Sequence, residues 1–237
     1  MTVATATEDR PGRDRLPALA AVAVGLLLAA NLALQVRPLH WDTYRVGASL
    51  EAFDAGRKWL MAGAWLRPLL LPPLALLAVG LRRRLGRGDL AHAGALLLLA
   101  AGVLQVAAGA VATVLGVPAE EYRPGAPDAH SLQVLADSLY WVQDDLVTLA
   151  NLALAAGIAA FALAGRRGRA VPAWATRAGV ASLVLMTAAA MSFVGVIPDR
   201  AAQPWWYGPW YLAGVVAAYA AGALWLAGAL RATATGR

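Results

Sequence analysis

Cysteine is missing altogether from the 237 residues. Disulfides, thiolate metal sites, haem attached through CxxCH and cysteine nucleophiles are thereby excluded. Lysine is almost missing. Lys58 is the single example, and it sits at the end of a polar stretch, so a retinal-type Schiff base inside the membrane is excluded as well. The three histidines, His40, His92 and His130, lie far apart and give no HExxH or similar pair on one helix face. No metal site and no cofactor is expected. Phosphate-binding glycine loops, G-x-S-x-G elbows and a Ser/His/Asp order do not occur. Charge is scarce too: 14% of residues, against about a quarter in a soluble domain.

What fills the space is apolar. Hydrophobic residues make up 60% of the chain and fall in long runs without charge, which is membrane composition. The net charge of +6 therefore does not point to nucleic acid. Its basic residues gather in short clusters between the runs, as orientation signals do. Arginine outnumbers lysine 19 to 1 and alanine is abundant, a compositional sign of GC-rich bacterial coding.

The runs divide the chain into a polar tail at residues 1–15, a six-helix transmembrane domain at 16–230 and a short tail at 231–237. The fold class expected is all-α, a polytopic bundle of six transmembrane helices. The first run, Leu16 to Val36, is too long for the apolar part of a signal peptide and reads as an uncleaved anchor. Pro38 to Lys58 follows, with Val46, Leu50 and Phe53 at helical spacing. The second run, Trp59 to Leu81, contains Arg67 and then Pro68, Pro72 and Pro73, so a kink is expected. Arg82, Arg83, Arg84 and Arg87 mark the turn into the third run, Leu90 to Val117.

Glu120 and Glu121 stand beyond it beside Pro118 and Pro124, and read as a solvated loop. The pair invites comparison with the intramembrane proteases that process prenylated proteins. Their arginine four positions after the second glutamate is absent, since Arg123 comes after two, and the likeness fails.

The fourth run, His130 to Ala164, organises the rest. At about 100° per residue it places His130, Gln133, Asp137, Tyr140, Trp141, Asp144, Thr148 and Asn151 on one face, with Asp145 at the edge. Leu132, Leu135, Leu139, Val142, Leu146 and Leu149 take the opposite face. Leu146 to Ala164 alone is long enough to span. Two placements of the acidic stripe stay open, inside the outer leaflet or as a solvated extension above it. Gly165 to Arg169 is a basic turn, Pro172 suits the first turn of a helix, and the fifth run reaches Ile197. Trp205, Trp206, Tyr207, Trp210 and Tyr211 form an aromatic belt at the start of the sixth.

Six spans put both termini on one side. Thirteen basic residues fall on that side and six on the other, so the positive-inside rule places both termini in the cytoplasm of a bacterial cell, with the protein multi-pass in its plasma membrane.

Polar groups inside the runs are uneven. Arg67 stands fifteen positions before Arg82, about 22 Å above the basic turn. Gln105, Asp144, Asp145, Thr148 and Asn151 fall in the same outer half, and the inner half is nearly bare. Unpaired polar groups are costly in hydrocarbon, so an outward-opening polar cavity is expected, lined by spans two, three and four. Its binding residues are Arg67, Gln105, Asp137, Tyr140, Trp141, Asp144, Asp145, Thr148 and Asn151. Arg67 is expected to pair with Asp144 or Asp145.

The leading expectation is a non-catalytic membrane protein that binds a small amphipathic or lipid-like molecule, with the bilayer as its medium. A structural or accessory subunit without a ligand is a second class. An enzyme is a third. Asp137, Asp144 and Asp145 near Tyr140, Trp141, Trp205, Trp206 and Trp210 would protonate an apolar substrate and steady a carbocation by cation–π contact. In that size and chemistry the chain resembles the small integral-membrane terpene cyclases, which implies an isoprenoid substrate. Asp144, deeper than Asp137, would be the better acid, because desolvation favours the protonated carboxyl. More of its length, from the order of six runs through Gly165–Arg169 and Val171-Pro172-Ala173-Trp174 to the Trp-rich opening of the last helix, resembles the uncharacterised small multi-pass membrane proteins of GC-rich bacteria. That likeness implies membrane location and six helices.

Overall fold

The computed structural model describes residues 16–36, 58, 61–86, 88–123, 125–194 and 207–234. Every regular element among them is helical: α1 Leu16–Val36, α2 Met61–Leu85, α3 Asp89–Val114, the short α4 Gly116–Glu121, α5 Ala129–Arg167, α6 Ala173–Val194 and α7 Tyr207–Ala234. All but α4 are long and apolar enough to cross a bilayer, so the described chain is an all-α bundle of six candidate spans. The stretch Pro38 to Arg57, expected to hold a short amphipathic helix, lies outside the described residues. Glu121, expected in a loop, ends α4 instead. Pro118 does not prevent this, because it falls in the first turn, where a missing N–H costs nothing.

Neighbouring spans run antiparallel. Residues near Gly63 pack on Leu34 and Gly80 packs on Pro17, which sets α1 against α2. α3 and α5 share the most extensive interface, followed by α6 with α7. The α3–α5 approach is close because both helices carry glycine at the crossing. A Cβ on Gly94 would stand 2.9 Å from the Phe161 ring and 3.1 Å from the Gly157 carbonyl oxygen. Small residues let helix backbones touch where lipid supplies no hydrophobic drive for association.

Two kinds of interior follow. At the end bearing Arg82–Arg84 and Arg166–Arg167, Phe161, Leu98, Leu74, Leu81 and Trp225 form one continuous buried cluster. Toward the opposite end the interior admits Arg67, Gln105 and Asn151. Apolar side chains also cover the outside, among them Leu19, Val22, Leu26, Val103, Val142, Leu149 and Leu224. In water such a surface would aggregate, and in a bilayer it is ordinary.

The 39 residues of α5 make a helix of about 58 Å, nearly twice the ~30 Å of a hydrocarbon core. Part of α5 therefore extends beyond a core of that thickness. Gly165 packs beside Leu85, which sets the register between α5 and α2 at the arginine-rich end.

Candidate functional site

Arg67 sits where α2 is broken. Pro68 has no N–H to offer the preceding turn, and the chain tightens into a 3-10 turn over Pro68–Leu70 before the α-helix resumes at Leu71. The Arg67 N–H still donates to the Gly63 carbonyl at 3.2 Å, and its own carbonyl accepts from Leu70 at 3.0 Å. Pro72 and Pro73 fall in the first turn of the resumed helix, where they do no harm. Gly109 of α3 makes room for this break. A Cβ there would stand 2.7 Å from the Ala64 carbonyl oxygen and 3.1 Å from the Pro68 ring.

The arginine is buried, with 4% of its surface exposed. Helical side chains lean toward the N-terminus of their helix, so on α2 it is carried away from the arginine-rich end and up along α5. There the Gln143 amide oxygen, in the orientation that satisfies both groups, accepts from Nη1 at 3.2 Å and Nη2 at 3.3 Å. Nε is buried with no hydrogen-bond partner. Asp144 lies within electrostatic range of the guanidinium, as do the hydroxyls of Tyr140, Tyr211 and Tyr219.

A second group of contacts lies alongside, between α5 and α7. The Tyr219 hydroxyl donates to Asn151 Oδ1 at 2.8 Å. The Tyr211 hydroxyl and Thr148 Oγ1 are 3.3 Å apart, and Tyr211 also bonds the Asn151 side chain. Asn151 is thus shared by two tyrosines and is itself buried. Gln105 on α3 is buried as well.

The expected ion pair is corrected in its first partner. Arg67 touches Gln143, a residue outside the expected set, and Asp144 acts on it through space. Asp145 is exposed and faces Asp144 as a like charge, so it is not Arg67's partner. The helical stripe explains why. Asp144 shares the face of Thr148 and Asn151, whereas Asp145 is turned 100° further round, toward Val142 and Leu149 on the outer surface. Tyr140 is half-buried against Leu115 and Ala136, and Trp141 is half-buried. The Asp137 side chain, Trp205 and Trp206 lie outside the described residues, and Trp210 is exposed on the outer face of α7.

Sequence reasoning missed Gln143 and Tyr219 and misread Tyr211. Gln143 carries no signal, being neutral and off the stripe. Tyr219 did carry one. It is a lone hydroxyl in the middle of a span, among Ala and Gly, and a buried Tyr hydroxyl ordinarily finds a partner. Tyr211, expected in the interfacial belt, turns inward. The cluster therefore draws on α2, α5 and α7, not on spans two to four alone.

No metal-ligand cluster of His, Asp and Glu occurs among the described residues. Comparison with family models, with curated proteins and with solved structures returns no match. What the site does is read from its residues.

Proposed function

We propose that this multi-pass membrane protein binds a small amphipathic or lipid-like molecule at the Arg67 cluster, with the arginine-rich ends of its helices and both termini in the bacterial cytoplasm. The carrying observation is the buried Arg67 guanidinium with one nitrogen unpartnered. An unmade hydrogen bond on a desolvated charged group is expensive, and such a group retained in hydrocarbon marks function by default. A polar head that accepts from Nε and donates to Asp144 meets both groups at once. Thr148, Asn151, Tyr211 and Tyr219 continue the polar groups toward the bilayer centre.

Lipidomics on purified protein tests this reading. A molecule that co-purifies with the wild type and is lost from Arg67→Gln and Asp144→Asn is expected. A preparation without any such molecule, or with the same lipids in all three proteins, contradicts it. Orientation has its own test, because the chain is free of cysteine. Single cysteines at Gly86 and Gly125 should label from the cytoplasmic and outer sides respectively. The cyclase-like alternative calls on the Asp137 side chain, Trp205 and Trp206, which lie outside the described residues, around Asp144, and an isoprenoid found in the same lipidomics would favour it.

A further inference from the structure

At the arginine-rich end, far from Arg67, the turn between α5 and α6 and the last turn of α7 enclose an open cavity of about 740 Å³. Its rim is set by Arg166, Arg167, Arg169 and Arg231, with Trp174 and Val171 as apolar wall, and among the described residues no carboxylate lines it. We propose that this cavity binds a phosphate-bearing anion, and specifically the headgroup of an anionic phospholipid.

The turn is built rather than loose. The Ala170 and Val171 N–H groups both donate to the Gly165 carbonyl, at 2.9 and 3.3 Å, and Arg169 N–H donates to Arg166. Val171 is buried against the bundle. Arg169 itself has φ of 54°, the left-handed conformation that a residue with a Cβ seldom adopts. Glycine would sit there without strain, so the arginine side chain is kept at a backbone cost, as happens at ligand sites. Arg166, Arg167 and Arg169 put three exposed guanidinium groups on one turn, where like charges repel one another and an anion relieves that repulsion. Arginine's planar fork matches phosphate oxygens two at a time.

Two features favour a lipid over a free phosphate. The cavity lies at the ends of the spans, where headgroups lie. Its wall is amphipathic: the half-exposed Trp174 ring lies against Gly228, and exposed Leu224 continues the apolar surface one turn further along α7. A phosphate among the arginines would leave its acyl chains along that surface.

The test is thermal stability of the full chain in neutral detergent, titrated with phosphatidylglycerol, phosphatidylcholine or inorganic phosphate. Phosphatidylglycerol should give a saturable rise in Tm that phosphatidylcholine does not. Arg169→Gly and Arg231→Gln should each weaken this response by about tenfold, while Arg82→Gln, an exposed arginine at the other basic turn, leaves it unchanged. Arg169→Gly also relieves the backbone, so its lipid-free Tm should not fall, which separates lost binding from lost folding. Equal responses to both lipids, or the same loss in Arg82→Gln, would overturn the site. A full response to inorganic phosphate alone would overturn the lipid assignment.

Discussion

Arg67 and Arg169 carry the same side chain in the same bundle and are treated in opposite ways. Arg67 is 4% exposed, held off a proline break, and leaves one nitrogen without a partner. Arg169 is exposed beside three other arginines on the rim of a cavity, and there the backbone carries the strain. The interior follows the same division. Around Phe161 and Leu98 it is apolar and closely packed, with the neutral Trp225 Nε1 buried there without a partner, and around Arg67 it is polar and holds a charged group with an unpartnered nitrogen. One end therefore supplies cohesion and the other supplies chemistry.

The largest effect should come from breaking the cohesive end. Phe161 is fully buried and packs on Gly94, so Phe161→Ala removes an aromatic ring and leaves a void at the α3–α5 crossing. A loss of about 3–5 kcal/mol is expected, measured as denaturation in detergent, and binding at Arg67 should survive in whatever fraction stays folded. Arg67→Ala should come next, at about 3 kcal/mol, because it strips the positive charge from beside Asp144 and opens a gap against Gln143. Wild-type stability in that variant would mean that the side chain leaves the bundle for the headgroup region. Tyr219→Phe is the smallest, removing one hydroxyl at 2.8 Å from Asn151. Hydrogen bonds between membrane helices average roughly 0.6 kcal/mol, so a shift of about that size is expected in the same assay.

How much of this was legible depends on which force sets each feature. The six spans follow from the length of the apolar runs, a property of each segment by itself, and the helices begin and end within a few residues of the expected places. The face joining Asp144, Thr148 and Asn151 is equally local, being fixed by 3.6 residues per turn. The partner of Arg67 is not local. It depends on the register of α2 against α5, set at the far end by Leu85 against Gly165, and on the upward lean of the arginine. Together these bring the guanidinium to Gln143. The cavity between the α5–α6 turn and α7 was hidden for a related reason. Arg166, Arg167 and Arg169 read as a topology signal, and only the folded chain brings Arg231 beside them.

The claim that the Arg67 cluster is kept for a ligand and not for the fold is tested most directly by one comparison. The double variant Arg67→Met, Asp144→Asn removes both charges and the unpartnered nitrogen while roughly keeping volume. Thermal unfolding of lipid-stripped protein should give the double variant a Tm equal to or above that of the wild type, because replacing buried charges by groups of similar size is often neutral or stabilising by about 1–4 kcal/mol. A Tm several degrees below the wild type, in protein from which every bound molecule has been removed, would show that the two charges hold the bundle together and would contradict the binding role.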